Sequence, residues 1–258
     1  MKQYIVDAFT DRVFSGNPAA VCVMESFPDE GIMKSIAAEN NLSETAFAVK
    51  ENGRYHLRWF TPKSEIDFCG HATLAASYVL FNYFEKYAEK LDFHGQRGDF
   101  SVSRDADMIK MYFPAYKLEH IEITETMIDA LGTIPLAAYK DRDILFVLRD
   151  ESEVRDLQPD MSLLSQLDGA CIAVTAKGTD YDCVSRVFAP SVGVNEDPVT
   201  GSTHCMIVPY WCKRMNRSSI TAFQASQRTG ILYCEYSDDT VCVSGKAALF
   251  SVNEIVGL

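Results

Sequence analysis

One carboxylate in this sequence stands where it could carry a proton. Glu44 lies in NNLSETAFAV, a strand-like stretch in which strict alternation aims its side chain to the same face as Leu42 and Ala46. A carboxylate that faces inward is costly unless it is paired or protonated. A glutamate in such a place can alternate as base and acid near the working pH. The alternative is a surface glutamate at the start of a strand.

Further groups that can transfer protons surround two glycines. His71 follows Gly70 directly, whereas Asp197 precedes Gly201 by four residues and Ser202 follows it. A glycine just before a helix lets a ligand approach the backbone, and the first N–H groups of the helix favour an anion. We therefore predict carboxylate binding by the N–H groups of Gly70, His71, Ala72, Gly201, Ser202 and Thr203. The alternative is two ordinary helix starts, with Asp197 and Ser202 serving as caps.

The two glycine segments belong to a repeated pattern. RWFTPKSEIDFCGHAT starts at residue 58 and RVFAPSVGVNEDPVTGSTH at residue 186, an offset of 186 − 58 = 128 in a chain of 258 residues. Both copies contain Arg-x-Phe-x-Pro, an aspartate, a glycine and an apolar stretch, but the glycine of the second copy comes three residues late. A repeat at a fixed offset indicates duplication, with chance similarity as the alternative. We predict that residues 58–84 and 186–212 each form a strand, a loop and a central helix.

Apolar spacing predicts the elements that hold these residues. HATLAASYVLFNYFEKYAEK, from residue 71, is the longest predicted helix, and STHCMIVPYWCKRM, from residue 202, is a second one that Pro209 should kink or break. A helix that is apolar on nearly every face must be surrounded, so each lobe should be a sheet curled around one helix. Short alternating stretches predict strands at KQYIVDAF, AAVCVM, TAFAV, RYHLRWF, DILFVLR, CIAVTA, DCVSRVF and TVCVS.

Two smaller helices and a domain boundary complete this prediction. Asp29 should cap EGIMKSIAAEN with Ile32, Met33 and Ile36 facing inward, and a helix should follow Thr124 and end at Gly132. We predict an N-terminal lobe of residues 1–116, onto which residues from about 247 to 258 pack back. Residues 117–258 form the C-terminal lobe, with the active site expected in the cleft between the lobes.

Composition limits the classes of binding partner and the cellular compartment that we expect. The 24 basic and 36 acidic residues give a net charge of −12, and the pI is near 4.8, which disfavours nucleic acid and anionic membranes. The longest nearly apolar run is about 13 residues, short of the roughly 20 that span a bilayer, and Asp7, Asp11 and Arg12 interrupt the start of the chain, where an export signal would be apolar. We expect a soluble, cytoplasmic protein with a small-molecule partner.

The cysteines and histidines do not have the spacing of a metal site. There is no Cys-x-x-Cys pair, and no two of the five histidines lie three to five residues apart. We expect the eight cysteines to be mostly buried thiols and expect no metal. The cysteines are Cys22, Cys69, Cys171, Cys183, Cys205, Cys212, Cys234 and Cys242.

Long segments of the chain resemble the phenazine-biosynthesis PhzF-like family of isomerases, which share the diaminopimelate-epimerase fold. The matching segments are DAFTDRVFSGNPAAVCV, NLSETAFAV, RWFTPKSEIDFCGHATLAAS, SRVFAPSVGVNEDPVTGSTHC with PYW, and QASQRTGIL. The resemblance implies an α+β fold of two pseudo-symmetric lobes, each a curled, mostly antiparallel sheet around a central helix. It also implies that Glu44 carries the proton, with His71, Asp197 and Ser202 around the substrate.

The activity implied is a cofactor-independent isomerisation that moves a C–H proton on a small unsaturated carboxylate. Asn17 in SGNP, Gln224 and Arg228 are expected to complete the binding site, and a homodimer is left open. The related epimerases carry a cysteine before each helix-start glycine, but Cys69 and Thr200 stand there in this chain, which argues against a two-thiol mechanism. Thr229 follows Arg228 where the family pattern has glycine.

Two other classes of function stay open from the sequence. A binding module could keep the fold without the chemistry, since fold does not determine function. A serine hydrolase could use Ser202, His71 and Asp197 as a triad, although the sequence contains no Gly-x-Ser-x-Gly segment.

Overall fold

The computed structural model describes residues 1–257 and is a mixed α+β structure. The chain forms two compact units. One consists of residues 1–112 together with the chain from Ser244 onward, and the other is the continuous segment 113–243. Leu258, the last residue of the segment predicted to pack back on the N-terminal lobe, lies outside the described residues.

The elements from residue 2 to residue 114 are β1 Lys2–Ala8, β2 Asn17–Met24, α1 Glu30–Asn40, β3 Glu44–Glu51, β4 Arg54–Phe60, β5 Glu65–Ile66, α2 Gly70–Val79, a π-helical turn Leu80–Phe84, β6 Lys90–Gly95, β7 Gly98–Asp105 and β8 Met108–Pro114. The remaining elements are β9 Glu119–Ile121, α3 Glu125–Leu131, β10 Ala137–Lys140, β11 Ile144–Val147, α4 Glu151–Asp156, α5 Met161–Leu164, β12 Ile172–Lys177, β13 Cys183–Phe188, a 3₁₀ turn Pro190–Val192, α6 His204–Met215, β14 Ser219–Gln224, β15 Gly230–Ser237, β16 Thr240–Gly245 and β17 Ala247–Glu254.

The sheet of the first unit joins strands that are far apart in the sequence. β1 pairs antiparallel with β2 and with β17, β2 pairs parallel with β3, and β3 pairs antiparallel with β4. Helix α2 packs on β1, β2 and β3, and its residues from His71 to Ser77 are all buried. The apolar sequence of α2 predicts a helix enclosed by strands, and the structure has this arrangement.

The predicted long helix is shorter than its sequence pattern. α2 ends at Val79 and widens into the π-helical turn, where the Glu85 N–H donates to the Leu80 carbonyl at 2.7 Å. The Glu85 carboxylate then accepts from the Tyr55 hydroxyl at 2.9 Å and pairs with Lys50. These contacts with the sheet draw the chain away from the helix axis.

Helix α1 covers the other face of this sheet. Met33, Ile36 and Ala37 form its buried stripe and belong to one cluster with Phe47 and Phe60. The prediction that Ile32 faces inward is wrong, since that side chain is 36% exposed. Residue 29 is the N-cap as predicted, but its side chain makes no capping hydrogen bond.

The strands of the second unit enclose a helix of their own. β12 pairs antiparallel with β13, β13 parallel with β14, and β14 antiparallel with β15. Helix α6 packs on β14 and β15, and its residues from His204 to Cys212 are all buried. The small helix α3 begins and ends where predicted, because the Thr124 side chain accepts from the Met127 N–H at 3.3 Å and Gly132 caps the end at φ 71°.

Pro209 lies inside α6 without ending it. A proline has no N–H, so the carbonyl four residues earlier, that of Cys205, loses its helical donor. In this structure the Tyr116 N–H donates to the Cys205 carbonyl at 2.9 Å. The freed carbonyl is thus satisfied from outside the helix, and the predicted break does not occur.

In each unit, the arginine of the Arg-x-Phe-x-Pro repeat contacts both the phenylalanine ring and a glutamate carboxylate. In the first unit the Arg58 guanidinium lies 5.2 Å from the Phe60 ring centroid and donates twice to Glu65, at 2.7 Å each. A planar guanidinium suits both the stacked ring and the two-pronged carboxylate contact.

The second unit repeats these contacts. The Arg186 guanidinium lies 5.0 Å from the Phe188 ring centroid and donates to Glu196 at 2.8 and 2.9 Å. Glu65 follows its arginine by seven residues and Glu196 by ten, which matches the three-residue delay of the second glycine. Both segments are a strand, a loop and a helix, as the duplication predicts.

All eight cysteines are buried, in keeping with their apolar surroundings in the sequence. Among residues 1–257, no helix has the length and apolar character needed to cross a bilayer.

Candidate active site

Three predicted site residues of the first unit meet because their elements begin side by side. β2 starts at Asn17, β3 starts at Glu44, and these two strands are parallel neighbours. His71 is the second residue of α2, which packs on both strands. The fold therefore brings together side chains that are 27 and 54 residues apart, by 71 − 44 and 71 − 17.

The imidazole of His71 lies between a carboxylate and an amide. Its Nε2 is 3.0 Å from Glu44 Oε2, and its Nδ1 is 3.1 Å from Asn17 Nδ2. The side chains of His71 and Glu44 are 6% and 14% exposed. The contact with Oε2 has the distance of an ion pair but not the angle of a hydrogen bond, which a small rotation would correct. The predicted inward orientation of Glu44 is confirmed by this contact.

Cys69 is the third group against the imidazole. Its Sγ lies 3.5 Å from His71 Nδ1. Burial, and then the charge of Glu44, raises the pKa of Cys69 to about 11 against the opposing effect of His71, so this side chain is a thiol at neutral pH. Burial by itself lowers the pKa of His71, but Cys69 and Glu44 together raise it well above the usual value. The carboxylate 3.0 Å from Nε2 therefore favours a proton on that nitrogen.

These three side chains could also hold a metal ion. Donor atoms of Glu44, Cys69 and His71 all lie within 4.8 Å of one another. The spacing argument against a metal missed this group because its members come from different elements. Zinc accepts this set of donors, but it would have to displace the proton of a thiol whose pKa burial raises to about 11.

The second unit builds a polar loop around Thr200. The Thr200 hydroxyl pairs with the Asp197 carboxylate, and the Thr200 N–H donates to Gln224 Oε1 at 2.8 Å. Gln224 Nε2 donates to the Asp197 carbonyl at 2.7 Å and lies 3.3 Å from the Thr200 hydroxyl. Gln224 is fully buried. Both ends of its amide are engaged with this loop, so Gln224 holds the loop in place.

The start of α6 differs from the prediction by two residues. The helix begins at His204, and residues 201–203 form a turn in which the His204 N–H donates to the Gly201 carbonyl at 3.2 Å. His204 Nδ1 is 2.7 Å from the Thr200 carbonyl, which makes Nδ1 a donor. Burial lowers the pKa of His204 to about 4, so its ring is neutral. Sequence reasoning assigned no role to His204 or Thr200, although both lie within four residues of Gly201.

The segment around Arg228 forms a tight turn. The Thr229 N–H donates to the Ser226 carbonyl at 3.2 Å and to the Ser226 hydroxyl at 3.1 Å. That hydroxyl donates to the Pro198 carbonyl at 2.7 Å, which ties the turn to the loop of Asp197. Thr229 has φ 58°, in the left-handed region. The glycine expected after Arg228 would adopt this conformation without strain.

Solved structures share this fold across the whole chain. A PhzF-family phenazine biosynthesis protein from Enterococcus faecalis matches with a TM-score of 0.97 at 49% identity, covering 98% of both chains. A putative phenazine biosynthesis PhzC/PhzF protein from Clostridium difficile matches with a TM-score of 0.95 at 44% identity, covering 99% of both. A predicted epimerase from Pseudomonas aeruginosa matches with a TM-score of 0.78 at 17% identity, covering 100% of this chain and 99% of the other, and this likeness shows the fold alone.

The fold is therefore that of the epimerase-like proteins, and the predicted fold class is confirmed. An uncharacterized isomerase from Pseudomonas aeruginosa is 45% identical over 245 residues, or 95% of each chain. The family model described as phenazine biosynthesis-like protein matches residues 6–252, and the chain belongs to this PhzC-PhzF family. The names of its relatives support an isomerase class of function.

Proposed function

We propose that this protein is a cofactor-independent isomerase in which Glu44 moves a proton between two carbons of a small unsaturated carboxylate. One observation carries the proposal: in a chain whose relatives include proteins named uncharacterized isomerases, a mostly buried carboxylate lies 3.0 Å from a buried imidazole. General acid–base catalysis needs such a group, held in place and able to bind and release one proton.

The proposed step balances without an oxidant or reductant. Glu44 takes a proton from carbon, and the electron pair of the C–H bond enters the conjugated system of the substrate. Glu44 then returns the proton at a second carbon, and the double bond moves. The negative charge that develops meanwhile on the substrate carboxylate would be stabilised by the N–H groups of residues 70–72 at the start of α2.

Two features count against the serine hydrolase. The ring nitrogens of His71 already face Glu44 and Asn17, so neither is left to accept a proton from Ser202 while the other is held by Asp197. Ser202 itself belongs to the turn before α6, where its carbonyl accepts from the Cys205 N–H at 3.0 Å.

The experiment is the exchange of substrate C–H protons in deuterated water, followed over a panel of cyclic and acyclic unsaturated acids. Glu44→Gln keeps the size of the side chain and loses the acid. Turnover and deuterium incorporation should fall together by at least ~10²-fold, while affinity for a carboxylate ligand changes little. Glu85→Gln is the matched control, since this partly buried glutamate of the same unit binds Lys50 and Tyr55. Normal exchange by Glu44→Gln would refute the shuttle.

The same assay decides between a proton relay and a metal centre. Dialysis against a chelator should leave exchange unchanged. Loss of exchange that zinc restores would assign the donors of Glu44, Cys69 and His71 to a metal ion and overturn the cofactor-independent mechanism.

A further inference from the structure

Asn17 is held in a fixed position by the backbone on both sides of it. Gly16 has φ 69°, and a Cβ at that position would collide with the Ala8 carbonyl, so only glycine fits there. Pro18 follows, and Asn17 itself pairs with Ala8 in the β1–β2 ladder. The side chain of Asn17 is fully buried. The Asn17 side chain is therefore not free to turn toward a ligand.

The buried amide and the carboxylate hold opposite ends of the same ring. Asn17 Nδ2 is 3.1 Å from Nδ1 of His71, whereas Glu44 Oε2 is 3.0 Å from Nε2. A rotation of the ring that moved Nε2 away from Glu44 would also break the contact with Asn17. The two contacts thus fix the orientation of the imidazole.

An amide has a property here that neither a carboxylate nor an apolar side chain shares. Its NH₂ end can donate to a bare Nδ1, and its carbonyl end can accept from a protonated Nδ1. Aspartate at this position could accept only from the protonated ring, and leucine could do neither. We infer that Asn17 is the positioning residue that keeps His71 Nε2 on Glu44 whether or not Nδ1 carries a proton.

The inference bears on catalysis through the proposed function, since the charge of Glu44 changes during each proton transfer. The titratable groups that face the ring are Glu44 from β3 and Cys69 from the segment before α2. Because Cys69 stays a thiol at neutral pH, Glu44 is the group whose charge His71 must follow. A partner that suits both states of the ring keeps the geometry constant during that change.

The first test is NMR of the unliganded protein, with ¹⁵N-labelled histidine, which reports the protonation of both nitrogens of His71. Asn17→Asp puts a carboxylate beside Nδ1 and should raise the pKa of His71 by a further one to three units or so. Asn17→Leu, which has no polar atom to place against Nδ1, should leave the ring without a fixed orientation and give more than one set of His71 signals. The control is Asn82→Asp in the π-helical turn, where the side chain donates to the Tyr78 carbonyl, and it should leave His71 unchanged.

The second test is the pH dependence of deuterium exchange. In Asn17→Asp, the part of the pH–rate profile that depends on the protonation of His71 should move to higher pH. Asn17→Leu should lose about 10²-fold in turnover, the size typical of a misplaced catalytic group. If His71 titrates alike in the wild type, Asn17→Asp and Asn17→Leu, the inference is overturned. If its titration shifts as expected but the wild type exchanges no substrate, the positioning role stands and the proposed function fails.

A smaller pair of variants keeps the inference testable if Asn17→Asp does not fold. Asn17→Ser and Asn17→Ala differ by a hydroxyl, which both donates and accepts. Serine should hold the His71 ring in a single orientation better than alanine does. Identical His71 signals in the two variants would count against the role of Asn17.

Discussion

Replacing Thr229 with glycine should stabilise the protein. Thr229 adopts φ 58°, a conformation that crowds Cβ against the following carbonyl and is an outlier for a β-branched residue. The cost is ~1–2 kcal/mol, whereas glycine pays nothing for this conformation. Glycine in turn loses ~0.5–1 kcal/mol because its unfolded chain is freer. The difference leaves a net gain of roughly 0–1.5 kcal/mol, with a midpoint of about 0.75 kcal/mol.

The gain can be measured because the turn keeps its backbone contacts. Both hydrogen bonds of Thr229 to Ser226 use the N–H, which glycine retains. The denaturant midpoint should rise while the slope of the transition stays the same. Asn41→Gly is the matched control, since Asn41 ends α1 at φ 49° and asparagine tolerates that region, so its midpoint should move less. A lower midpoint for Thr229→Gly, or an equal shift in both variants, would refute the argument from strain.

Two further predictions concern buried ionisable groups. Cys69→Ser should lower deuterium exchange by less than about 10-fold, since Cys69 has no partner thiol opposite it and the loss of general acid–base transfer would lower the rate by more. Cys22→Ser, at another buried cysteine of this unit, is the control. Complete loss of exchange by Cys69→Ser with the fold intact would assign the chemistry to the thiol. His204, with its pKa lowered from 6.5 to about 4 by burial, contributes stability that is present above pH 6.5 and lost as pH falls toward 4. Denaturant titrations of His204→Asn should therefore show a smaller loss over that window, and an unchanged pH dependence would contradict the neutral buried ring.

The orientation of Glu44 and the ends of α3 follow from local rules. Alternation along β3 depends only on neighbouring residues, so it predicts the face on which Glu44 lies. Thr124 and Gly132 act within one turn of the helix that they cap, so a few neighbouring residues predict where α3 begins and ends. For these two features the physics is short-range, and the sequence and the structure agree.

The misses have long-range causes. Pro209 was predicted to kink or break α6, but the helix continues through it, and the N–H that takes up the freed carbonyl comes from Tyr116, which is 209 − 116 = 93 residues earlier. The donor group of Glu44, Cys69 and His71 has no spacing motif, because Glu44 comes from one stretch and Cys69 and His71 come from another. The amide of Gln224 donates to the carbonyl of Asp197, which is 224 − 197 = 27 residues earlier, and the sequence did not predict this contact. Each of these contacts requires the tertiary fold.

The pairing of β1 with β17 has a consequence for the order in which a ribosome lets this protein fold. Val6 pairs with Leu249, so the two partners are 249 − 6 = 243 residues apart. Synthesis starts at the N-terminus, and the continuous second unit is complete before β17 has been made. The unit that is translated first therefore finishes last. Throughout synthesis β1 keeps one edge open, which is the state in which a nascent strand most needs protection from other chains.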